Sequence, residues 1–181
     1  MTFRPIHFKD HLYFVTGTII RWTPIFTKNV YRNIVIDSLN WHINSQRMKL
    51  FAYVIMSNHL HWISLPIPPN TINDNLWSFS SYTAHEVLRT ARINNDQRYL
   101  RLFSKYANDG KAHKIWKNFQ AKNIFNHEFL QQKMEYIHNN PLQKYDLQQR
   151  AEYEYSSAKY YDEGQESIIQ IEDIFEYVDN L

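Results

Sequence analysis

Tyr53-Val54-Ile55-Met56-Ser57-Asn58-His59-Leu60-His61-Trp62-Ile63 reads as an apolar strand, a two-residue polar break and a second strand carrying two histidines. Ser57-Asn58 is short enough to make the two strands a hairpin. Side chains alternate between faces along a strand, so His59 and His61 project together and Leu60 and Trp62 point the other way. Paired imidazoles can hold a divalent metal. Two ligands make a weak site, so any remaining ligands must come from another element. A His-x-His pair by itself is more often part of a strand surface than a site.

Outward from the hairpin, the pattern alternates strand and helix. Residues 11–20 are aromatic and β-branched, a strand broken by Thr23-Pro24. Residues 29–45 place Ile34, Leu39, Trp41 and Ile43 at helical spacing. Residues 49–56 and 59–65 are the hairpin strands, and Pro66, Pro68 and Pro69 end the second. Asn73 or Asp74 can cap a helix reaching Asn94, with Leu76, Trp77, Phe79, Val87 and Leu88 expected inside. Residues 94–113 are polar and basic, a loop or a short helix. Residues 115–125 suit a fourth strand. A last helix starts at Asn126 or His127, places Phe129, Leu130, Met134, Ile137 and also Tyr136 at helical spacing, and stops at Pro141. This order is the ferredoxin-like plan of an α+β protein: an antiparallel four-stranded sheet with helices on one face. The other face is left to carry a site. Trp22, Trp77 and Trp116 are expected in the core rather than as platforms for bases.

Composition narrows the chemistry. The 181 residues contain no Cys, which removes disulfides, thiolate metal sites and thiol nucleophiles. Only 3 Gly are present, and no phosphate-binding glycine loop occurs. No apolar run approaches membrane-spanning length and Met1-Thr2-Phe3-Arg4-Pro5 has no signal pattern, so a cytoplasmic protein is expected. Net charge is +2, unevenly placed: residues 151–181 hold nine acids against Lys159, which leaves about +10 on the first 150. Between Glu86 and Lys122 stand Arg89, Arg92, Arg98, Arg101, Lys105, Lys111, Lys114, Lys117 and Lys122, opposed by Glu86, Asp96 and Asp109. Such a stretch suits a polyanion. The expected organisation is a body of residues 1–150 and an acidic extension, 151–181, that could cover the basic face.

The second unusual stretch is Glu135-Tyr136-Ile137-His138-Asn139-Asn140-Pro141. Tyr136 and Asn140 stand four apart, hence on one face of a helix. A tyrosine hydroxyl is a weak nucleophile unless a metal polarises its target phosphate. Asn140 offers a neutral carbonyl oxygen suited to Mg or Mn. His138 lies about 200° around from Tyr136, so it faces away and is expected to be structural. His113 and His127 read as surface or capping residues.

Together these stretches resemble the IS200/IS605-type tyrosine transposases, and more closely the REP-associated branch. His59-Leu60-His61 matches that family's His-hydrophobic-His strand. Tyr136-Ile137-His138-Asn139-Asn140-Pro141 matches the branch's Tyr-Ile-His-x-Asn-Pro helix. Weaker likenesses are Ser80-Ser81-Tyr82-Thr83 on the second helix, Trp116 to Phe119, and Tyr155-Ser156-Ser157. The family's lysine on the second helix is replaced by Ser80 or Ser81. The resemblance implies a ferredoxin-like HUH nuclease fold with a separate catalytic C-terminal helix. It implies Tyr136 as nucleophile and His59, His61 and Asn140 as ligands of Mg or Mn. It also implies single-stranded DNA with hairpins, REP-like palindromes, as substrate, cleaved through a 5′-phosphotyrosine. Such a protein would be nucleoid-associated and either monomeric or homodimeric. Arg89, Arg92, Arg98, Arg101, Lys105, Lys114 and Lys117 are then expected DNA contacts. Rival readings are a domesticated hairpin binder, a replication initiator or relaxase, and a structural metal- or RNA-binding module.

Overall fold

In the computed structural model, which describes residues 11–107 and 112–178, the hairpin forms as expected. Lys111, Asp109 and the N-terminal Met1-Thr2-Phe3-Arg4-Pro5 lie outside the described residues. Strand β2 (Met48–Ile55) pairs antiparallel with β3 (His59–Pro66), and the Met56 N–H closes the turn on the His59 carbonyl at 2.9 Å. β1 (Tyr13–Ile19) lies on the other side of β3, and β4 (Trp116–Asn123) beyond β1. The sheet order is β2-β3-β1-β4, antiparallel throughout. That is the ferredoxin-like order.

Alternation then sorts the side chains. Tyr13, Val15, Leu60 and Trp62 face one way, onto α1 (Asn29–Asn44) and α2 (Ile72–Ile93). Phe14, Val54, His61 and Ile63 face the other, toward α4 (His127–Asn139). α3 (Gln97–Lys105) packs beside α2 through Tyr99 and Phe103. β1 runs close under Phe119, because a Cβ at Gly17 would stand 2.4 Å from its ring. Only glycine fits there.

The caps show how local chemistry sets element ends. α2 starts one residue pair earlier than expected, at Thr71, not at Asn73 or Asp74. The Thr71 hydroxyl accepts from the Asp74 N–H at 3.3 Å while the Asp74 carboxylate accepts from the Thr71 N–H at 2.8 Å. Asn126 caps α4 by accepting from the Phe129 N–H at 2.8 Å. α4 ends before Pro141, yet Asn140 and Pro141 both keep helical backbone angles, and Pro141 leads into α5 (Leu142–Tyr145). Trp116 is buried as expected, but Trp77 is 74 % exposed and Trp22 52 % exposed. Trp77 sits on the outer stripe of α2, where Phe79 and Val87 take the inner one.

The two sheet edges are treated differently. β4 is polar and largely exposed, with Lys117, Asn118, Gln120 and Lys122 outward, a composition that discourages further strand pairing. β2 is covered by the chain after α5. Ile55 N–H donates to the Tyr155 carbonyl, Ser157 N–H to that of Tyr53, and Glu172 N–H to that of Leu50, all at 2.8–3.0 Å. After α6 (Ala158–Glu163), Ile169 and Ile174 are fully buried, and α7 (Phe175–Val178) follows. Two described acids of this segment form ion pairs, Glu172 with Lys49 and Asp162 with Arg150, and neither partner lies within residues 89–117. The extension lies along the β2 edge, held there by its buried isoleucines.

Candidate active site

β3 delivers His59 and His61 to the α4 face of the sheet, with ring centroids 5.0 Å apart. Each imidazole is anchored through Nδ1: His59 to Asn58 Oδ1 at 2.7 Å, His61 to Thr16 Oγ1 at 2.9 Å. Each therefore turns its Nε2 away from its anchor. His61 Nε2 is buried without a hydrogen-bond partner. A buried polar atom in that condition is costly unless something binds it. Burial is the main cause holding His61 down to about 3, helped by the neighbouring His59. Burial, then the Lys144 cation, holds His59 at about 4, against the opposing effect of a hydrogen bond to Asn140. Both rings are neutral near pH 7, the form that coordinates metal.

α4 supplies the rest. The Tyr136 ring meets His61 edge-on, centroids 5.0 Å apart, and Phe14 at 5.9 Å. Phe14 also stacks on His61 at 5.3 Å. Tyr136 is 47 % exposed, so the residue is open to solvent. Asn140, one turn further, reaches His59. The four residues singled out for chemistry, from two stretches about eighty residues apart, thus stand together. Among the described residues no cluster of three His, Asp or Glu could hold a metal. An amide oxygen as third donor is consistent with that, and two imidazoles anchored through Nδ1 beside Asn140 fit a divalent ion.

Two lysines at this site carry no signal in either motif. Lys133 Nζ lies 5.7 Å from the Tyr136 ring centroid and 5.2 Å from that of Phe14. Burial, then Lys122, lowers its proton affinity. It stands three residues before Tyr136, a same-face spacing that was readable. Lys144 donates to Ser57 Oγ at 2.5 Å in the hairpin turn and biases His59 from there.

Comparison with solved structures places this architecture. A REP-associated tyrosine transposase bound to a REP hairpin superposes with a TM-score of 0.66, at 15 % identity, over 96 % of this chain and 93 % of that one. The chain has the fold of a REP-associated tyrosine transposase. A candidate transposase from Deinococcus radiodurans R1 aligns more loosely, with a TM-score of 0.44, 15 % identity and coverage of 77 % of this chain and 97 % of that one. No protein-family model and no curated protein matches the sequence.

On this transposase fold the expected DNA contacts divide into two groups. Arg89, Arg92, Arg98 and Arg101 sit exposed on α2 and α3, in the helix layer of the opposite sheet face, and Arg89 is paired with Glu86 at 2.7 Å. Lys114 is half-buried before β4. Lys117 is closer to the chemistry, with its Nζ 5.6 Å from the Trp22 ring centroid, and Trp22 lies 5.7 Å from His59. Lys105 and Arg21 flank Tyr106 at 5.8 Å and 5.4 Å. His138 is buried on the far side of α4, bonded to Ser157 Oγ at 2.9 Å, and has a structural place.

Proposed function

We propose that this protein is a metal-dependent single-strand DNA endonuclease and strand transferase acting on hairpin-bearing DNA, with Tyr136 as nucleophile. The observation that carries this reading is the half-exposed Tyr136 set edge-on against His61, whose buried Nε2 has no partner. A structural tyrosine would be expected to bury its ring; His42 also buries an unpartnered Nε2, but His61 does so beside a second imidazole and a half-exposed tyrosine. Hairpin DNA enters the proposal from the REP hairpin held by the neighbouring structure.

Tyr136 Oη attacks the phosphorus of a phosphodiester, and the bond to the 3′ oxygen breaks. That oxygen takes the bond's electron pair and a proton, becoming a 3′-OH. The tyrosyl proton passes to solvent, to which the half-exposed Tyr136 is open. The product is a 5′-phosphotyrosine that keeps the energy of the phosphodiester, so the strand can be rejoined without a nucleotide cofactor. Lys133, beside the tyrosine ring, stabilises the phenolate as it forms and the phosphoryl charge beside it. His59, His61 and Asn140 would hold Mg or Mn, which when bound polarises the phosphate and stabilises the leaving oxygen.

The test is a labelled single-stranded hairpin oligonucleotide incubated with the protein and Mn or Mg, resolved on a denaturing gel. A DNA–protein adduct is expected, absent with Tyr136→Phe and with EDTA. Hairpin affinity without any adduct would instead identify a domesticated binder. A duplex control at matched salt separates recognition from general polyanion affinity.

A further inference from the structure

Trp22 stands beside the proposed catalytic site for no reason that packing supplies. It follows β1 in a 3₁₀ turn, Ile20–Trp22, and is 52 % exposed. Arg21 and Trp22 both adopt left-handed backbone angles, φ 55° and 53°. Such angles are unfavourable for residues other than glycine, and uncommon for them. The Asn58 side chain holds the arrangement by donating to the Trp22 carbonyl at 3.1 Å. Asn58 is also the residue that anchors His59. The turn is thus tied to the site rather than left loose.

The surroundings have the chemistry of a single-strand path. Lys117 lies over the indole, and next along the surface come Arg21, Tyr106 and Lys105. Aromatic faces alternating with cations bind unpaired bases and phosphates in turn. The order of rings is also informative. Tyr136 contacts His61, and Trp22 contacts His59, so the indole and the phenol stand at opposite ends of the histidine pair. In an in-line displacement the leaving oxygen departs opposite the attacking one. With the phosphate held at the histidine pair, the strand ending in the new 3′-OH would run toward Trp22.

Resting on the nuclease reading above, we propose that Trp22 is a stacking platform for the nucleobase on the 3′-OH side of the cleaved bond. It holds that end in place while the other strand is attached to Tyr136. Lys117 is itself exposed, so an arriving base exchanges it for a ring contact and leaves the ammonium to a phosphate.

The experiment compares binding of a single-stranded dT oligomer of about twelve nucleotides with an abasic strand of equal length, by fluorescence anisotropy at fixed salt, using the full chain. The wild type is expected to prefer dT, and Trp22→Ala to lower dT affinity about fivefold to hundredfold with little change on the abasic strand. Trp22→Tyr restores most of the preference. Trp77→Ala, an exposed tryptophan on α2, keeps wild-type binding. Unchanged discrimination in Trp22→Ala overturns the platform, as does equal weakening on both strands. The adduct assay runs in parallel. Adduct formation without a Trp22 effect leaves the nuclease reading standing and removes the platform. A Trp22 effect without adduct removes the nuclease reading and with it the 3′-OH side assignment, leaving Trp22 as a base-stacking residue only, and a wild type that binds neither strand overturns both.

Discussion

At the residue scale, the site depends on charges placed near rings. Lys133→Met keeps most of the side chain's apolar contact with Phe14 and Phe129 but removes the cation beside Tyr136. Adduct formation in single-turnover conditions should slow about tenfold to hundredfold, the range for one stabilising group near a developing anion. Thermal stability should hardly change. An unaltered rate would show that Lys133 does not act on the reacting phosphate. The pairs His59/His61 and Tyr136/Asn140 were legible in the sequence because periods of two and four residues place side chains on one face, whereas the joining of the two pairs came from the family resemblance. Trp22 was not legible. Its exposure follows from the left-handed pair Arg21–Trp22, and nothing in Ile20-Arg21-Trp22-Thr23-Pro24 announces that geometry. Trp77 failed for another reason: a helix pattern admits two adjacent stripes, and Phe79 with Val87 claimed the inner one.

At the element scale, α4 must be held so that Tyr136 meets His61. Two anchors on its outer side do this. Ser157 Oγ accepts from the Tyr53 N–H at 2.9 Å and meets His138 Nε2 at the same distance, linking helix to β2. Ser157, the last residue of the Tyr155-Ser156-Ser157 stretch, is thus a clasp between helix and strand. Arg150 forks onto Asp162 through two bonds of 2.7 Å and reaches Glu135 at 2.8 Å, tying α4 to α6. Arg150→Met should destabilise by about 1–2 kcal/mol, since the pairs are charge-assisted but partly solvated. Equilibrium urea unfolding measures this, and a loss below a few tenths would mean the fork is surface decoration. On the opposite layer, α1 buries His42, whose Nδ1 bonds the Ser38 carbonyl at 2.7 Å. Burial is the main cause lowering its pKa. The folded state thus resists protonating it while the unfolded chain does not. The contribution is fully present above the unfolded value of about 6.5 and is lost as pH falls toward the folded one. Unfolding midpoints should fall from pH 7 to pH 5, and His42→Phe should fall less steeply than its parent over that interval. Equal slopes would exclude His42 as a source.

At the scale of the whole molecule, the sheet has one polar edge and one covered edge, and the cover comes from the acidic C-terminal segment. From sequence, nine acids against one lysine suggested a solvated arm available to screen a basic face. Charge totals could not reveal that Ile169 and Ile174 each reach full burial, on opposite sides of the sheet. Glu172 shows the principle in one residue: its N–H completes the β2 edge at Leu50, and its carboxylate pairs with Lys49 at 3.0 Å and accepts from the Tyr177 hydroxyl at 2.9 Å. The acids decorate a segment that the apolar residues dock. Truncation after Gly164 should therefore act on stability first. Two buried isoleucines account for about 3–6 kcal/mol, a large part of the usual 5–15 kcal/mol of a domain. The Leu50 carbonyl and the neighbouring edge would also be bared, which favours association between copies. Urea unfolding and sedimentation velocity check the two parts, and a loss of several kcal/mol with a concentration-dependent increase in mass is expected. A screening arm predicts the opposite pattern, with unchanged stability and tighter binding to single-stranded DNA. Because the two outcomes share no feature, one truncated protein decides between a docked edge strap and a charge shield.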